Sequence, residues 1–524
     1  MKNIVAYDST LRDGAQAQGI SFTVEDKLKI VSRLDRLGIK YIEAGNPGSN
    51  PKDLEFFERV QKLKLNNAKI IAFGSTRKVN LSVQEDANVK SLLTAGTSAV
   101  TIFGKSWDFH VTDILKTSLD ENISMIYDTI SFFKAKGKEV VFDAEHFFDG
   151  YKANPEYAMK TLETAFNAGA DSLCLCDTNG GAFPQEIFDI TSLVVGTFKC
   201  QIGIHCHNDN GMAVANSIMA IQAGAVQVQG TMNGYGERCG NANLCTIIPN
   251  VQLKLEYECI PRENVSFLTQ TARYVSEIAN IIHDERAPYV GRFAFAHKAG
   301  MHADAVNKNS IAYEHIEPEI VGNERTFLMS EVAGRSAVLH IINQVDESIT
   351  KDSPETKQIL EKMKELEHEG YQYEGAESSF ELVIRKLLGK YQSFFDLREF
   401  KVIVNEPSVD DVNSSAMVKI KVDGEDEISA ADGDGPVNAL DGAIRRALER
   451  FYPNLSEMKL TDYKVRVLDS RSATAAKVRV LIESTDGSEV WTTIGVSTDI
   501  IDASWKALVD SIEYKLIKDK ENNS

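Results

Sequence analysis

The stretch Leu28-Lys-Ile-Val-Ser-Arg-Leu-Asp-Arg-Leu-Gly-Ile-Lys-Tyr-Ile-Glu-Ala44 shows the unit from which the first half of the chain is built. Its first ten residues place apolar side chains at helical spacing. The helix is expected to stop at Gly38, because glycine adopts the left-handed C-terminal cap without strain. The run 41–44 that follows is short and β-rich, as is typical of a buried strand. The stretch therefore predicts a helix, a glycine stop and a strand in direct succession.

The same succession recurs along residues 1–240. Eight short β-rich runs are predicted as strands: 4–7, 41–44, 69–73, 99–103, 139–142, 172–176, 202–207 and 226–230. Five of the intervening helices are expected to stop at Gly38, Gly96, Gly137, Gly169 and Gly224. Eight strand-helix units in this length favour an α/β fold of the (β/α)8 TIM-barrel type, with a doubly wound open sheet as the alternative.

In a TIM barrel the carboxyl ends of all strands meet on one face, where catalytic groups lie. Polar and ionisable residues of the chain follow the predicted strands one, two, five, six and seven. They are Arg12, Asp13, Glu43, Asp143, Glu145, Asp177, Thr178, His205 and His207. Each carboxylate taken singly is also a candidate helix cap or lysine partner, but the whole set predicts one converging site.

His205 and His207 stand one residue apart where predicted strand seven meets a turn, so both imidazoles point to the same side. Imidazole is the commonest metal ligand in proteins, and a carboxylate such as Asp13 would complete a divalent-metal site. Two satisfied core histidines are the alternative interpretation of this pair taken alone.

Three separated motifs resemble those of a known family: Asp8-Ser-Thr-Leu-Arg-Asp-Gly14, His205-Cys-His-Asn-Asp209 and Gly234-Tyr-Gly-Glu-Arg-Cys-Gly-Asn-Ala-Asn243. They look like the motifs of the metal-dependent, Claisen-condensing barrel synthases, which include the isopropylmalate, homocitrate and citramalate synthases. The stretches 44–53, 142–150 and 313–325 look most like the longer citramalate branch. The resemblance implies an acyltransferase that joins acetyl-CoA to a 2-oxo acid and hydrolyses the thioester. In the citramalate branch the oxo acid is pyruvate, and the route leads to isoleucine.

The resemblance also implies ligands for a metal and for the substrate. Asp13, His205 and His207, with Asn241 as a fourth ligand, would hold a divalent ion, which is Mn²⁺, Mg²⁺ or Zn²⁺. Arg12 resembles the arginine that stabilises negative charge on the keto oxygen. Thr178 would bind the substrate carboxylate.

A base must remove a proton from the methyl group of acetyl-CoA. The segment 296–304 resembles the family segment that reaches into the barrel mouth, often of the neighbouring subunit, which makes His302 the main candidate. Asp304 would orient the ring of His302, and Tyr313 would assist. Glu43 and Glu145 also match family positions and would position acetyl-CoA, a water or the base. By contrast, His297 is expected to be structural.

The chain is too long for one ordinary domain. We predict a catalytic barrel over 1–265, a connecting helical subdomain and linker over 266–390, and a C-terminal domain over 391–524. The charged segment 345–378 is expected to be an exposed helix and linker.

The C-terminal part repeats itself at a spacing of 60 residues. The run 416–422 is similar to 476–482, and the pairing continues with Gly435 and Gly495, Ala443 and Ala503, and Leu448 and Leu508. Each unit is expected to hold a strand pair and a helix, which predicts a small α+β domain with pseudo-twofold symmetry. This part resembles the regulatory domain of isopropylmalate synthases, which implies a homodimer and, in the citramalate branch, an isoleucine effector. A purely dimerising domain is the alternative.

Composition limits the remaining possibilities. A formal net charge of −19 repels nucleic acid. The sequence has neither a leader-like start nor an apolar run of about 20 residues, so neither export nor a membrane partner is expected. Seven cysteines without a C-x-x-C pair suit reduced thiols in the cytoplasm. Three alternatives stay open: a sister synthase with a larger oxo acid, a related lyase, and a catalytically dead barrel that acts as an amino-acid sensor or scaffold.

Overall fold

The computed structural model describes residues 3–49, 51–297, 305–306, 308–327, 335–350, 352–373, 376–409, 412–468, 476–487 and 489–522. The chain forms two compact units. One comprises Met1–Phe295 with Ile316–Glu324, and the other comprises Ala296–His315 with Arg325–Ser524. Within the described residues, no helix combines the length and the apolar character needed to cross a membrane.

Eight parallel strands of the first unit close into a barrel in sequence order. The strands are β1 Val5–Asp8, β2 Tyr41–Glu43, β3 Lys69–Ser75, β4 Ala99–Lys105, β5 Glu139–Glu145, β6 Ser172–Asp177, β7 Gln201–Cys206 and β8 Gln227–Gly230. The last strand returns to the first, with Val5 beside Gln227 and Asp8 beside Gly230. The eight predicted strands and the TIM-barrel class are therefore confirmed, and the open sheet is excluded.

Helices surround the barrel on its outside. They are Val24–Leu37, Pro51–Val60, Ala87–Thr94, Leu119–Ala135, Phe147–Ala153, Pro155–Asn167, Pro184–Thr197, Ala213–Ala223 and Leu244–Pro249, and Leu268–Ile278 follows. The first helix begins with a capping box, in which Thr23 and Asp26 each accept a hydrogen bond from the other's backbone N–H. It ends at Gly38, where φ is 100°. All five predicted stop glycines have positive φ, as the left-handed cap requires.

The interior of the cylinder is packed rather than open. A small cluster of buried side chains fills it: Tyr7, Tyr41, Ile71, Ala99, Val141, Cys174 and Cys176. A second and larger apolar core lies between the strands and the surrounding helices. Because these side chains fill the interior of the cylinder, a ligand has to approach from the carboxyl ends of the strands.

The second unit begins with two short parallel strands, Ala296–His297 and Thr326–Phe327. Three helices follow: Arg335–Val345, Pro354–Glu369 and Glu377–Leu387. Ile359 and Met363 of the charged middle helix are buried in one core with Phe380 and Ile494. The expectation of an exposed linker was therefore wrong for this helix, because two apolar residues four positions apart give a charged helix one apolar side.

Two similar repeats complete the second unit. The first has strands Asp396–Val409, Val412–Val422 and Glu425–Gly433 and helix Pro436–Glu449. The second has strands Lys459–Val467, Val478–Thr485 and Val490–Ser497 and helix Ile500–Asn522. Each repeat is a three-stranded antiparallel sheet with a helix. It therefore has one strand more than the predicted strand pair.

The internal repeat is confirmed, but its predicted spacing is wrong. Ala416 pairs with Ala431 in the first sheet and Val480 with Gly495 in the second, so equivalent residues lie 64 positions apart rather than 60. The buried helix residue Ala439 likewise corresponds to Ala503. A shift of four residues leaves the inward faces of the strands unchanged and moves the helix by about one turn, so the apolar pattern hardly distinguishes the two spacings.

Candidate metal centre and active site

A carboxylate and two imidazoles meet at the carboxyl end of the barrel. His205 and His207 lie at the end of β7 and just beyond it, and Asp13 lies in the turn after β1. The Asp13 Oδ2 atom is 3.3 Å from His205 Nε2 and 3.9 Å from His207 Nε2. One ligand atom from each residue lies within 4.8 Å of the others, and all three residues are buried. The structure thus brings together the three protein groups that the sequence singled out.

Asn241 lies beside this cluster, where it forms an isolated β-bridge with His207. Its Nδ2 donates to the Tyr235 carbonyl at 3.1 Å, which directs Oδ1 the other way. Among the described residues, the buried Asn241 Oδ1 has no hydrogen-bond partner. A buried acceptor without a donor is costly, and a cation would satisfy it. The residues present therefore fit a divalent ion with mixed nitrogen and oxygen ligands.

The glycines of the loop after β8 allow Asn241 to take this position. A Cβ at Gly236 would lie 2.2 Å from Asn241 Nδ2, and a Cβ at Gly240 would lie 2.1 Å from the Gly234 carbonyl oxygen. The Tyr235 hydroxyl anchors the loop by donating to Ser276 Oγ at 3.2 Å. Close backbone approach thus explains why this loop requires glycine.

Burial and charge set the protonation states of the cluster. Burial would raise the pKa of Asp13, but Arg12 and His205 lower it well below its usual range. Burial together with the neighbouring His205 lowers the pKa of His207 to about 3. Burial would lower the pKa of His205, yet its hydrogen bond to Asp13 raises it. Asp13 is therefore a carboxylate and His207 a neutral imidazole at pH 7, which are the forms that bind metal ions.

Arg12 is fixed beside the cluster by two carboxylates and an aromatic ring. Its Nε donates to Glu43 Oε1 at 2.5 Å, and its Nη1 is 3.2 Å from Asp13 Oδ2. The guanidinium carbon lies 3.8 Å from the centre of the Phe73 ring. Burial would lower the pKa of Arg12, but Asp13 and Glu43 raise it above its usual value. A permanent positive charge is thus held next to the cluster.

Glu43 is completely buried, and both of its oxygens accept hydrogen bonds. Oε1 accepts from Ser9 Oγ at 2.9 Å as well as from Arg12. Oε2 accepts from the Tyr7 hydroxyl at 2.5 Å. These contacts are those of a carboxylate that positions Arg12.

Glu145 and Thr178 lie at the same end of the barrel, at the end of β5 and just after β6. Both are partly exposed, and Glu145 pairs with the Lys105 ammonium. The Thr178 hydroxyl oxygen accepts from the His146 backbone N–H at 2.9 Å. His146 has a φ of 55°, which is uncommon for a residue other than glycine. The turn after β5 thereby brings the two neighbouring strand ends together.

His302 and Asp304 lie outside the described residues. Tyr313 belongs to the second compact unit, where its side chain is exposed. His297 Nε2 lies 2.9 Å from Glu314 Oε1, and Arg325 pairs with the same carboxylate. These contacts agree with the structural role expected for His297.

A second group of possible metal ligands, Asp143, Cys174 and Cys176, lies inside the barrel. Burial raises the pKa of Cys174 well above its usual value. A hydrogen bond with Cys174 would lower the pKa of Cys176, but burial raises it to about 11. Both thiols are therefore protonated at pH 7 and pack as small apolar side chains. This group belongs to the packed interior.

Gln229 was missed in the sequence, although its Oε1 lies 2.9 Å from His205 Nδ1. The available signal was the alternation Gln227-Val-Gln229, which puts two amides on the inside of a short strand. The Asp177 carboxylate accepts from the Gly181 and Ala182 N–H groups at 3.2 and 3.3 Å, so it holds the loop before the helix Pro184–Thr197 rather than capping that helix.

Comparisons with known families cover almost the whole chain. Residues 3–275 match the HMGL-like family, 289–371 match the homocitrate synthase post-HMGL domain-like family, and 374–516 match the LeuA allosteric (dimerisation) domain. The fold and these matches define an HMGL-like barrel that carries a LeuA-type C-terminal domain.

Relatives of known name place the chain within that class. It is 54% identical to the (R)-citramalate synthase of Aquifex aeolicus, covering 99% of both chains. It is 52% identical to the (R)-citramalate synthase of Synechocystis, covering 97% of this chain and 95% of that one. Identity to a probable 2-isopropylmalate synthase of Methanopyrus kandleri is 31%, covering 97% of each. The chain belongs to the (R)-citramalate synthase family.

Proposed function

We propose that this protein condenses acetyl-CoA with pyruvate and hydrolyses the thioester, which yields (R)-citramalate and CoA. The observation that carries the proposal is the 54% identity to an (R)-citramalate synthase over 99% of both chains. Identity is only 31% to the probable 2-isopropylmalate synthase, which favours pyruvate over a larger oxo acid. The enzyme is an acyltransferase whose acyl group becomes an alkyl group on transfer.

Asp13, His205, His207 and Asn241 would hold the divalent cofactor, which is Mn²⁺, Mg²⁺ or Zn²⁺. When bound, such an ion acts as a Lewis acid on the carbonyl group of the oxo acid. The support for these ligands is their common burial and the unsatisfied Asn241 Oδ1. The low pKa values of Asp13 and His207 keep both side chains in the form that binds a cation.

Arg12 would stabilise the negative charge that develops on the keto oxygen of pyruvate. Glu43, Asp13 and the Phe73 ring hold its guanidinium in place before substrate arrives. A cation that is already oriented lowers the barrier without reorganising during the reaction. Thr178 would bind the substrate carboxylate through its O–H, because its oxygen already accepts from the His146 N–H.

The proton abstraction is assigned to His302, and Asp304, Tyr313 and Glu145 are given supporting roles. His302 takes a proton from the methyl group of acetyl-CoA, with its ring oriented by Asp304 and with help from Tyr313. The enolate carbon then bonds to the keto carbon, and the keto oxygen takes up a proton. Water next attacks the thioester carbonyl, and the CoA thiolate leaves and is protonated. Glu145, which pairs with Lys105, would position acetyl-CoA or this water.

The C-terminal domain would form a homodimer and bind isoleucine as a feedback effector. The match to the LeuA allosteric (dimerisation) domain supports the dimer. Isoleucine is the amino acid to which a citramalate route from pyruvate leads. We assign the protein to the cytoplasm, in keeping with its seven free cysteines.

Release of the CoA thiol tests the proposal. The purified protein is incubated with acetyl-CoA and either pyruvate, 2-oxoisovalerate or 2-oxoglutarate, with and without a chelator. We expect the fastest release with pyruvate, its loss with chelator and its recovery with Mn²⁺. A preference for 2-oxoisovalerate or 2-oxoglutarate would keep the mechanism and overturn the substrate. No release with any acid would favour a sensor. Isoleucine, with alanine as control, should slow the pyruvate reaction.

A further inference from the structure

The second ring nitrogen of His205 is held inside the barrel. His205 Nε2 faces Asp13, so Nε2 is the nitrogen available to a cation in the cluster. A neutral imidazole carries one proton, and the nitrogen that binds a cation must be the one without it. When a cation takes the place of the Nε2 proton, the remaining proton of His205 therefore resides on Nδ1. Gln229 Oε1 lies 2.9 Å from this Nδ1, at the distance of an accepted hydrogen bond.

A glutamine amide alone does not decide which tautomer a histidine adopts, because it can present either its oxygen or its NH₂ group. The orientation of Gln229 is settled at its other end. Gln229 Nε2 donates to Asp143 Oδ1 at 2.9 Å. With its NH₂ group donating to this oxygen, which accepts whether or not the carboxyl is ionised, the amide presents Oε1 to His205 Nδ1.

The chain of hydrogen bonds crosses the barrel interior and is shielded from water. Asp143, Gln229 and His205 lie on β5, β8 and β7, and their relative exposures are 4%, 0% and 5%. A reversed amide would place an N–H group against the protonated Nδ1. In a dry interior two donors that face each other are costly, so the orientation seen here is favoured.

We infer that Gln229 is a positioning residue, which holds His205 as the tautomer that presents a free Nε2 lone pair to the metal, and that Asp143 fixes Gln229 for this task. The inference rests on the proposed metal centre and adds two residues to it. Loss of a hydrogen-bond partner behind a metal ligand commonly weakens metal binding by about 10- to 100-fold.

Gln227 provides a matched control in the same strand. It is two residues before Gln229, points to the same side of β8 and is equally buried. Its Oε1 accepts from Ser172 Oγ at 3.3 Å, in the layer below the metal centre. A substitution of Gln227 therefore disturbs the same strand and loses the same type of side chain, but leaves the Asp143–Gln229–His205 chain intact.

The experiment is a titration of the full-length protein with Mn²⁺, followed through the spectrum of the free ion by electron paramagnetic resonance. Gln229→Leu should raise the Kd for Mn²⁺ about 10- to 100-fold, while Gln227→Leu stays within about twofold of the wild type. Equal affinities for Gln229→Leu and the wild type, or equal losses in both variants, would overturn the inference. Absence of Mn²⁺ binding by the wild type would overturn the metal centre itself, which is a different result.

A double variant separates positioning from simple packing. Gln229→Glu combined with Asp143→Asn exchanges the amide and the carboxylate, so that the new amide donates to the new carboxylate, which still accepts from His205 Nδ1. We expect this variant to bind Mn²⁺ at least about fivefold more tightly than Gln229→Leu. An affinity as low as that of Gln229→Leu would show that hydrogen-bond direction is not what matters, and would overturn the inference.

Discussion

The barrel and the C-terminal repeats both bury ionisable side chains, but they use them differently. In the barrel, Asp13, His205 and His207 converge on one point. In the second unit the buried charges pair off locally, as when Lys515 Nζ lies 2.9 Å from Asp486 and Arg385 lies 2.6 Å from Glu381. Buried charges are costly unless they are paired or bind an ion. Convergence rather than burial alone therefore marks a site of chemistry.

The two regions also differ in what they expose. Ile403 and Ile428 lie on the outer side of the first C-terminal sheet and are 61% and 58% exposed. On the middle strand of this sheet, Ser415 lies opposite Ile403 and Lys419 lies opposite Ile428. Both residues point away from the buried side of the strand, which carries Ala416. Apolar groups on the free side of a sheet are typical of an association surface. The repeats thus expose apolar side chains where the barrel gathers ionisable ones.

Removal of one proposed metal ligand should produce the largest effect. His207→Ala takes one of the nitrogens from the cluster, and Lewis-acid assistance is worth several kcal/mol, so kcat should fall about 10³-fold or more. CoA release with pyruvate and the Kd for Mn²⁺ are the measurements. His368→Ala, on an exposed helix surface, is the control and should change neither. Retention of activity within tenfold in His207→Ala would remove this residue from the proposed centre.

Arg12→Lys should have the next largest effect, although it keeps the charge. Lysine cannot contact Glu43 and Asp13 from one planar group or stack as a guanidinium does on Phe73. We expect kcat to fall about 10²- to 10³-fold, in the range for loss of an oriented oxyanion partner. Steady-state kinetics with pyruvate measure the change, and Arg59→Lys in an exposed ion pair is the control. A loss below about threefold would mean that charge alone matters.

The sequence was sufficient to predict the barrel because its signals are local and repeated. Each strand has a β-rich run, and the stop glycines need no tertiary contact to be identified. The cluster of Asp13 with His205 and His207 was predictable for a related reason, since a closed barrel brings strand ends together.

Other features depend on contacts between distant residues and could not be predicted in this way. The link from Asp143 through Gln229 to His205 joins three strands, and an amide in a strand carries no mark of its partner. The repeat spacing was misjudged because an apolar pattern tolerates a shift of four residues. Only the pairing of Ala416 with Ala431 and of Val480 with Gly495 fixes the register.

The exposed sheet side of the repeats should control association rather than chemistry. Ile403→Glu combined with Ile428→Glu places two charges on an apolar surface, and we expect the dimer Kd to rise about 100-fold if each side chain contributes a typical contact. Sedimentation at several concentrations measures this. Ile114→Glu is the control, because Ile114 is equally exposed but lies on the barrel unit. An unchanged dimer would place the interface on another surface.

Alanine substitutions at Gly495 and Gly137 should have the smallest effects, and they compare how tightly the backbone is packed in the two regions. A Cβ at Gly495 would lie 2.0 Å from the Ala503 carbonyl oxygen, so Gly495→Ala must push a helix from its sheet and should cost about 2 kcal/mol of unfolding free energy. At Gly137 nothing lies within 4 Å, but φ is 73°, so Gly137→Ala should cost about 1 kcal/mol through backbone strain alone. Urea unfolding gives both values, with Trp491 and Trp505 reporting on the repeats and Trp107 on the barrel.

Gly196→Ala is the control, and it should raise the free energy of unfolding rather than lower it. Gly196 lies in the helix Pro184–Thr197, with open space at the Cβ position and no positive φ, so alanine should stabilise the barrel by about 0.5–1 kcal/mol. If Gly495→Ala were as mild as Gly137→Ala, the helix would adjust to the sheet without loss. The repeats would then be loosely packed surfaces, and their contrast with the barrel would rest on charge alone. A cost at Gly495 twice that at Gly137 would instead mean that tight contact between helix and sheet contributes to the stability of the second repeat.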